Sequence, residues 1–209
     1  MLSADILSFQ EFMNREPLPV ATLHNAIFEF LRDRRDVVLF GAQAVNAYTE
    51  EPRMTQDIDL MALQGAELAE ALRVYLSDRF YIAMRVQEVK SGLGYRLYQV
   101  RKTGNRHLAD IRQVETLPAY RSFEGMLVME PATLIASKVI AYYQRRGKPK
   151  AGTDWRDLAL LLLKFPELKV ESGSVLEQLQ TNDIDKAVLR LWQEIVETGI
   201  QAEDEDDDF

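Results

Sequence analysis

The chain has no cysteine and only two histidines, His24 and His107, far apart in its 209 residues. Disulfides, thiolate metal sites and cysteine nucleophiles are therefore excluded, and a zinc site built on the two histidines is not expected. A metal, if one binds, is expected to take oxygen ligands. Glycine and proline are sparse, 10 and 7 residues, against 47% hydrophobic and 28% charged residues. That is the composition of an ordinary globular protein and not of a disordered or fibrous one. No run approaches the roughly 18 uninterrupted apolar residues of a membrane span, and Met1-Leu-Ser-Ala-Asp-Ile has no basic segment leading into an apolar one. No membrane partner and a cytoplasmic location are the expectations.

Basic residues are in the minority, 25 Lys and Arg against 33 Asp and Glu, for a formal net charge of -8. That sum argues against general attraction to nucleic acid. Six of the acids, however, are Glu203, Asp204, Glu205, Asp206, Asp207 and Asp208, and without them the chain is close to neutral. Such a block reads as a solvated, disordered tail over 201–209, with an interaction or autoinhibitory segment that mimics a polyanion as the alternative.

Hydrophobic periodicity predicts helices over 8–14 and 21–33, the second with Leu23, Ile27, Phe28, Phe30 and Leu31 as its apolar stripe. Asp36-Val-Val-Leu-Phe40 reads as a buried strand that turns at Gly41 into a helix over 42–49. Asp57-Ile-Asp-Leu-Met61 reads as a strand, followed by a helix over 66–77 and strands over 80–89, 95–100 and 107–114. Pro131 opens a long helix to Gln144, 147–153 is a loop, and helices follow over 154–163, 175–180 and 185–197. The expected fold class is α+β, a mixed sheet flanked by helices with a helical bundle at the C-terminal end. The expected domains are a core with N-terminal helices over 1–130 and a helical region packed on it over 131–200.

Period-2 alternation sends the carboxylates of Asp57 and Asp59 to one face of their strand while Ile58 points to the other. Two acids side by side repel unless a cation lies between them. Mg²⁺, or Mn²⁺, suits such an oxygen-only setting together with substrate phosphates. The plain alternative is a solvent-facing strand edge carrying two charges, because Asp-x-Asp is short enough to arise by chance.

The stretch Leu39-Phe-Gly-Ala-Gln-Ala-Val-Asn-Ala-Tyr48 and then Pro52-Arg-Met-Thr-Gln-Asp57-Ile-Asp59-Leu resembles the signature of the nucleotidyltransferase superfamily, whose fold is that of DNA polymerase β. The runs Pro131-Ala-Thr-Leu-Ile-Ala-Ser-Lys138-Val and Lys150-Ala-Gly-Thr-Asp154-Trp-Arg-Asp157-Leu are similar to its AbiEii/MenT-like branch, which includes toxins of bacterial toxin-antitoxin pairs. The resemblance spans roughly Val37 to Leu163. It implies transfer of a nucleoside monophosphate from a nucleoside triphosphate to an acceptor hydroxyl on a tRNA end, a protein or a small molecule such as an aminoglycoside, with an antitoxin as a further partner. A nucleotide-binding or protein-interaction module of the same fold without turnover is the competing reading.

The resemblance also implies roles. Asp57 and Asp59 hold the metal, and Asp110 is a further metal residue, as general base or as second-metal ligand, against an alternative in which Asp110 only pairs with Arg112 or Arg101. Gly41 opens a helix whose free amides meet the triphosphate, and besides that it allows the strand-to-helix turn. Ala42 stands where Gly or Ser is frequent, so a hydroxyl that bonds phosphate is missing. Arg53 and Thr55 are candidates for phosphate or base contacts, or ordinary loop residues. Lys138 reaches the triphosphate, or is a solvated helix lysine. Asp157, ahead of Asp154, supports that lysine or the metal, while Thr153 or Asp154 as a helix cap is the structural alternative. His107 reads as an ordinary strand residue. Arg145, Arg146, Lys148 and Lys150 are a basic run suited to RNA phosphates or to a solvated helix end.

Overall fold

The computed structural model describes residues 18–89, 91–181 and 184–202. The helix expected over 8–14 and the acids from 203 onward lie outside the described residues. The chain divides into two compact units, one ending at Met129 and the other starting at Glu130.

The first unit runs α1 (Val20–Leu31), β1 (Val37–Phe40), α2 (Gly41–Tyr48), β2 (Ile58–Ala62), α3 (Gly65–Phe80), β3 (Met84–Val89), β4 (Gly94–Gln99), β5 (Arg106–Gln113), β6 (Tyr120–Phe123) and β7 (Met126–Met129). Its strands make a seven-stranded mixed sheet in the order β3-β4-β5-β2-β1-β7-β6. β2 runs parallel to β5 and β1 parallel to β7, and the other pairs are antiparallel. β1 and β7 are buried at every position, which is why both read as unbroken apolar runs. β2 alternates instead. Ile58, Leu60 and Ala62 are buried while Asp59 and Met61 stay partly exposed, so one face of this strand belongs to the core and the other is left for chemistry. Leu68, Ala69, Leu72 and Leu76 form the buried stripe of α3, which lies along β3, β4 and β5, and α1 packs on α3 through the same end of the sheet.

Several boundaries differ from the sequence expectation for identifiable reasons. Helix α3 continues to Phe80 and is stopped by Tyr81 in the left-handed conformation (φ 54°), so the strand expected from 80 starts only at Met84. Asp57 directly precedes β2 and is not its first residue. The β6–β7 hairpin was not expected at all. It turns through Glu124-Gly125, both at positive φ, with Phe123 paired to Met126. This is the geometry of a two-residue type I′ turn written without the Asn-Gly or Asp-Gly that signals one in a sequence.

The second unit contains α4 (Pro131–Gln144), α5 (Lys150–Lys164), a 3-10 turn (Pro166–Leu168), α6 (Ser174–Thr181) and α7 (Lys186–Glu197). Pro131 sits where a missing N–H costs nothing, at the first turn of α4. α4 packs against α5, α6 and α7, and Val188, Leu191, Trp192 and Ile195 form the buried stripe of α7. Asp185 caps α7 by accepting from the amide of Ala187 at 2.9 Å. α5 starts four residues before the expected helix, so neither Thr153 nor Asp154 caps it and Asp154 lies in its second turn. No described helix is long and apolar enough to cross a membrane.

Candidate active site

The parallel pairing of β2 with β5 sets Asp59 directly opposite Asp110. Neighbouring strands are about 4.8 Å apart and paired residues point to the same face, so two acids distant in sequence share one small patch. The same end of the sheet carries the β1–α2 turn, where Phe40 is the register partner of Asp59 and Gly41 follows it. Gly41 has φ +68°, and a Cβ built on it would fall 2.0 Å from Asp59 Oδ2 and 2.7 Å from its Cγ. Two independent constraints therefore demand glycine: the left-handed backbone and a carboxylate resting against its Cα. No side chain caps the start of α2, whose positive end thus meets the acidic strand.

His107 enters this patch through an irregularity in β5. Leu97 pairs with Ala109, but Tyr98 pairs with His107, so Leu108 is an extra residue and the ladder bulges there. Without the bulge, residues 107 and 110 would point to opposite faces. With it, Leu108 and Ala109 are both buried and His107 and Asp110 lie side by side. The imidazole Nδ1 lies 3.4 Å from Asp57 Oδ2, and Nε2 lies 3.4 Å from Asp110 Oδ1 and 3.2 Å from the Ala109 carbonyl. Ligand atoms of Asp57, His107 and Asp110 all fall within 4.8 Å of one another, and all three side chains are partly exposed. Tyr98 stacks on the imidazole with ring centroids 5.0 Å apart.

Charge at the patch is finely opposed. Bonding to Asp110, helped by the Asp57 charge, raises the His107 pKa against the effect of partial burial. Burial pushes Asp110 upward, yet His107 and Arg96 outweigh it and hold the carboxyl below its ordinary value. Arg96, on β4, donates from Nε to Asp110 Oδ1 at 3.0 Å. The partner of Asp110 is thus Arg96 and not Arg112 or Arg101, and Arg112 instead lies over the Phe40 ring at 4.7 Å. The donor set suits a divalent cation. It offers carboxylates in register with an imidazole beside them, on a partly open face.

The loop before the acids is fastened by residues that the sequence did not flag. Asn46 on α2 donates to the Arg53 carbonyl at 2.8 Å and accepts from the Arg53 amide at 3.1 Å, as a paired strand would. Gln43 donates to the Thr55 hydroxyl at 2.6 Å. Both amides are buried, three residues apart on one helix face, and that polar pair on an otherwise apolar surface was the available signal. Asn46→Ala should cost about 1–3 kcal/mol by orphaning the Arg53 peptide. It should also speed amide exchange at Arg53; unchanged exchange in the variant would show that the loop is held by something else.

In the second unit Lys138 is buried and not solvated. Its Nζ donates to Asp157 Oδ2 at 2.6 Å, with side chains 8% and 0% exposed. Asp154 is likewise buried and takes a two-oxygen contact from Arg145 Nη1, at 2.7 and 2.8 Å. Arg145 is thereby engaged, Arg146 lies over the rings of Tyr142 and Tyr143, and Lys148 and Lys150 are exposed. Ser137 returns its hydroxyl to the Leu134 carbonyl.

A strand that turns through glycine into a short helix, beside a partly open acidic strand of a mixed sheet, defines a nucleotidyltransferase fold. Solved structures agree on the fold. The polyadenylate synthase of Megavirus superposes with a TM-score of 0.60 at 14% identity, over 75% of this chain and 34% of that one. JHP933 from Helicobacter pylori superposes with a TM-score of 0.52 at 14% identity, over 91% of this chain and 92% of that one. The chain thus spans about a third of the length of the viral synthase. No curated protein matches the sequence. Residues 26–207 match the family described as Nucleotidyl transferase AbiEii toxin, Type IV TA system, and the chain belongs to that family.

Proposed function

We propose that this nucleotidyltransferase moves a nucleoside monophosphate from a nucleoside triphosphate to an acceptor hydroxyl, with Asp57, Asp59 and Asp110 holding a divalent cation, Mg²⁺ or Mn²⁺. The observation that carries this reading is the registration of Asp59 beside Asp110, with Asp59 resting against Gly41 at the start of α2. The cation, when bound, neutralises phosphate charge and polarises the phosphorus under attack. The chain's own residues do the rest by positioning. The first amides of α2, from Gly41 and Ala42, would receive a phosphate, and Thr55 and Arg53 stand on a loop fixed to α2. Asp110, held ionised at neutral pH, is able to accept a proton from the acceptor hydroxyl. Lys138, with Asp157 orienting its ammonium, is the proposed counter-charge for the triphosphate on the strength of family likeness. Lys148 and Lys150 are exposed cations suited to an RNA acceptor, and a protein or small-molecule acceptor fits the same chemistry. Membership of the AbiEii family supports a toxin restrained by an antitoxin. A module that binds nucleotide without turnover is the second reading, favoured by Ala42, which offers no hydroxyl to phosphate.

Incubation with Mg²⁺ or Mn²⁺ and each α-labelled nucleoside triphosphate, with tRNA, protein or aminoglycosides as acceptors, separates the two. Label should move to one acceptor class, and the Asp57→Ala/Asp59→Ala double variant should lose at least roughly 100-fold of it. Metal-dependent nucleotide binding without transfer would favour the binding module. Growth arrest on expression, abolished by the same variant, is the expected sign of a toxin.

A further inference from the structure

We infer that His107 is itself a ligand of the cation, which makes the site a mixed nitrogen and oxygen site that takes a first-row transition ion, Mn²⁺ before Mg²⁺. This rests on the proposed cation site and goes beyond the all-oxygen set expected from the sequence. The two ring nitrogens of His107 stand in different surroundings. Nε2 faces two acceptors, the Ala109 carbonyl at 3.2 Å and Asp110 Oδ1 at 3.4 Å, so Nε2 is the nitrogen that gives its N–H to the protein and Nδ1 is the one turned to Asp57. Metal-bound histidines are held in this manner, the far N–H given to a carbonyl or carboxylate that fixes tautomer and ring plane. Arg96 steadies the Asp110 carboxylate at 3.0 Å, and Tyr98 steadies the ring face.

Nδ1 and Asp57 Oδ2 lie 3.4 Å apart. Their spacing is that of two ligands on one ion, since bonds of about 2.1 Å to a common centre put neighbouring donors roughly 3.0 to 3.4 Å apart. The bulge at Leu108 supplies the reason for this placement, because a regular β5 would send the ring to the opposite face of the sheet. Imidazole nitrogen is a good donor to first-row transition ions, whereas Mg²⁺ prefers oxygen and keeps its waters.

The test uses the full chain, Mn²⁺ alone without nucleotide, and pulsed electron paramagnetic resonance, which detects directly coordinated nitrogen. With two histidines in the chain and His24 buried, the signal is traceable by substitution. Wild type should show nitrogen coupling to bound Mn²⁺. His107→Gln should lose it while remaining folded by circular dichroism, with Mn²⁺ affinity lowered roughly 10-fold or more and Mg²⁺ affinity changed much less. Saturable Mn²⁺ binding that depends on Asp57 but carries no nitrogen coupling would overturn the His107 assignment and leave the carboxylate site standing. Absence of any Asp57-dependent Mn²⁺ binding would remove both.

Discussion

Gly41→Ala should abolish nucleotidyl transfer, by roughly 100-fold or more, and destabilise the first unit by at least about 2 kcal/mol. The new methyl carbon would lie 2.0 Å from Asp59 Oδ2, and the backbone at φ +68° disfavours any side chain. Asp59 sits on a central strand whose neighbours are β1 and β5, so its backbone has no room to yield. The carboxylate must swing away, and with it the placement opposite Asp110. Thermal melting and the labelled transfer assay check both effects together. A second change, Asp59→Ala, should recover part of the stability of Gly41→Ala, because it removes the atoms that clash most closely. If Gly41→Ala folds and transfers like the wild type, the contact between the β1–α2 turn and the acidic strand has no part in the chemistry.

The second large effect concerns the buried pair of Lys138 and Asp157. Removing Asp157 takes away the carboxylate that the Lys138 ammonium bonds at a site 8% exposed, and removing Lys138 breaks the same buried pair, a loss of about 3–5 kcal/mol. Lys138→Met and Asp157→Leu should each lower the urea midpoint of the second unit strongly. Combined, the two should regain most of that loss, since apolar groups of similar volume replace a desolvated ion pair at little net cost. Activity discriminates the roles. A pair that only holds α4 against α5 would return transfer along with stability in the double variant. A pair that serves the triphosphate would leave a stable protein without transfer, and that is the result expected here.

The fold was legible wherever local pattern carries it. The run Val37-Val-Leu-Phe40 reads as a buried strand and becomes β1, and the stripe of Leu23, Ile27 and Leu31 becomes the core face of α1. Alternation about Ile58 predicts that its side chain enters the core, and the burial of Ile58, Leu60 and Ala62, with Asp59 partly exposed between them, follows it. The β6–β7 hairpin was missed because Glu124-Gly125 is a weak turn signal, although its left-handed residues make a regular two-residue loop. The start of α5 was misplaced because Gly152 and a basic stretch resemble a loop in sequence, while the helix accepts them on an exposed face.

The candidate site divides along the same line. Sequence alone determined that no thiolate takes part, that two carboxylates flank the core residue Ile58, and that a glycine opens the helix before them. Only the tertiary structure decided that Asp110 pairs across to Asp59, that Asp59 fills the space a side chain at 41 would need, and that Lys138 and Asp157 bury each other. It also decided the role open to His107. Consecutive apolar residues, Leu108 and Ala109, hinted at a break in the alternation, but the direction of the imidazole depends on which residue of β4 faces which residue of β5. Periodicity acts through residues a few positions apart and is written in the sequence. Strand register, and the meeting of charges it produces, is settled by contacts between distant segments competing for one core, and that competition is resolved only in the folded chain.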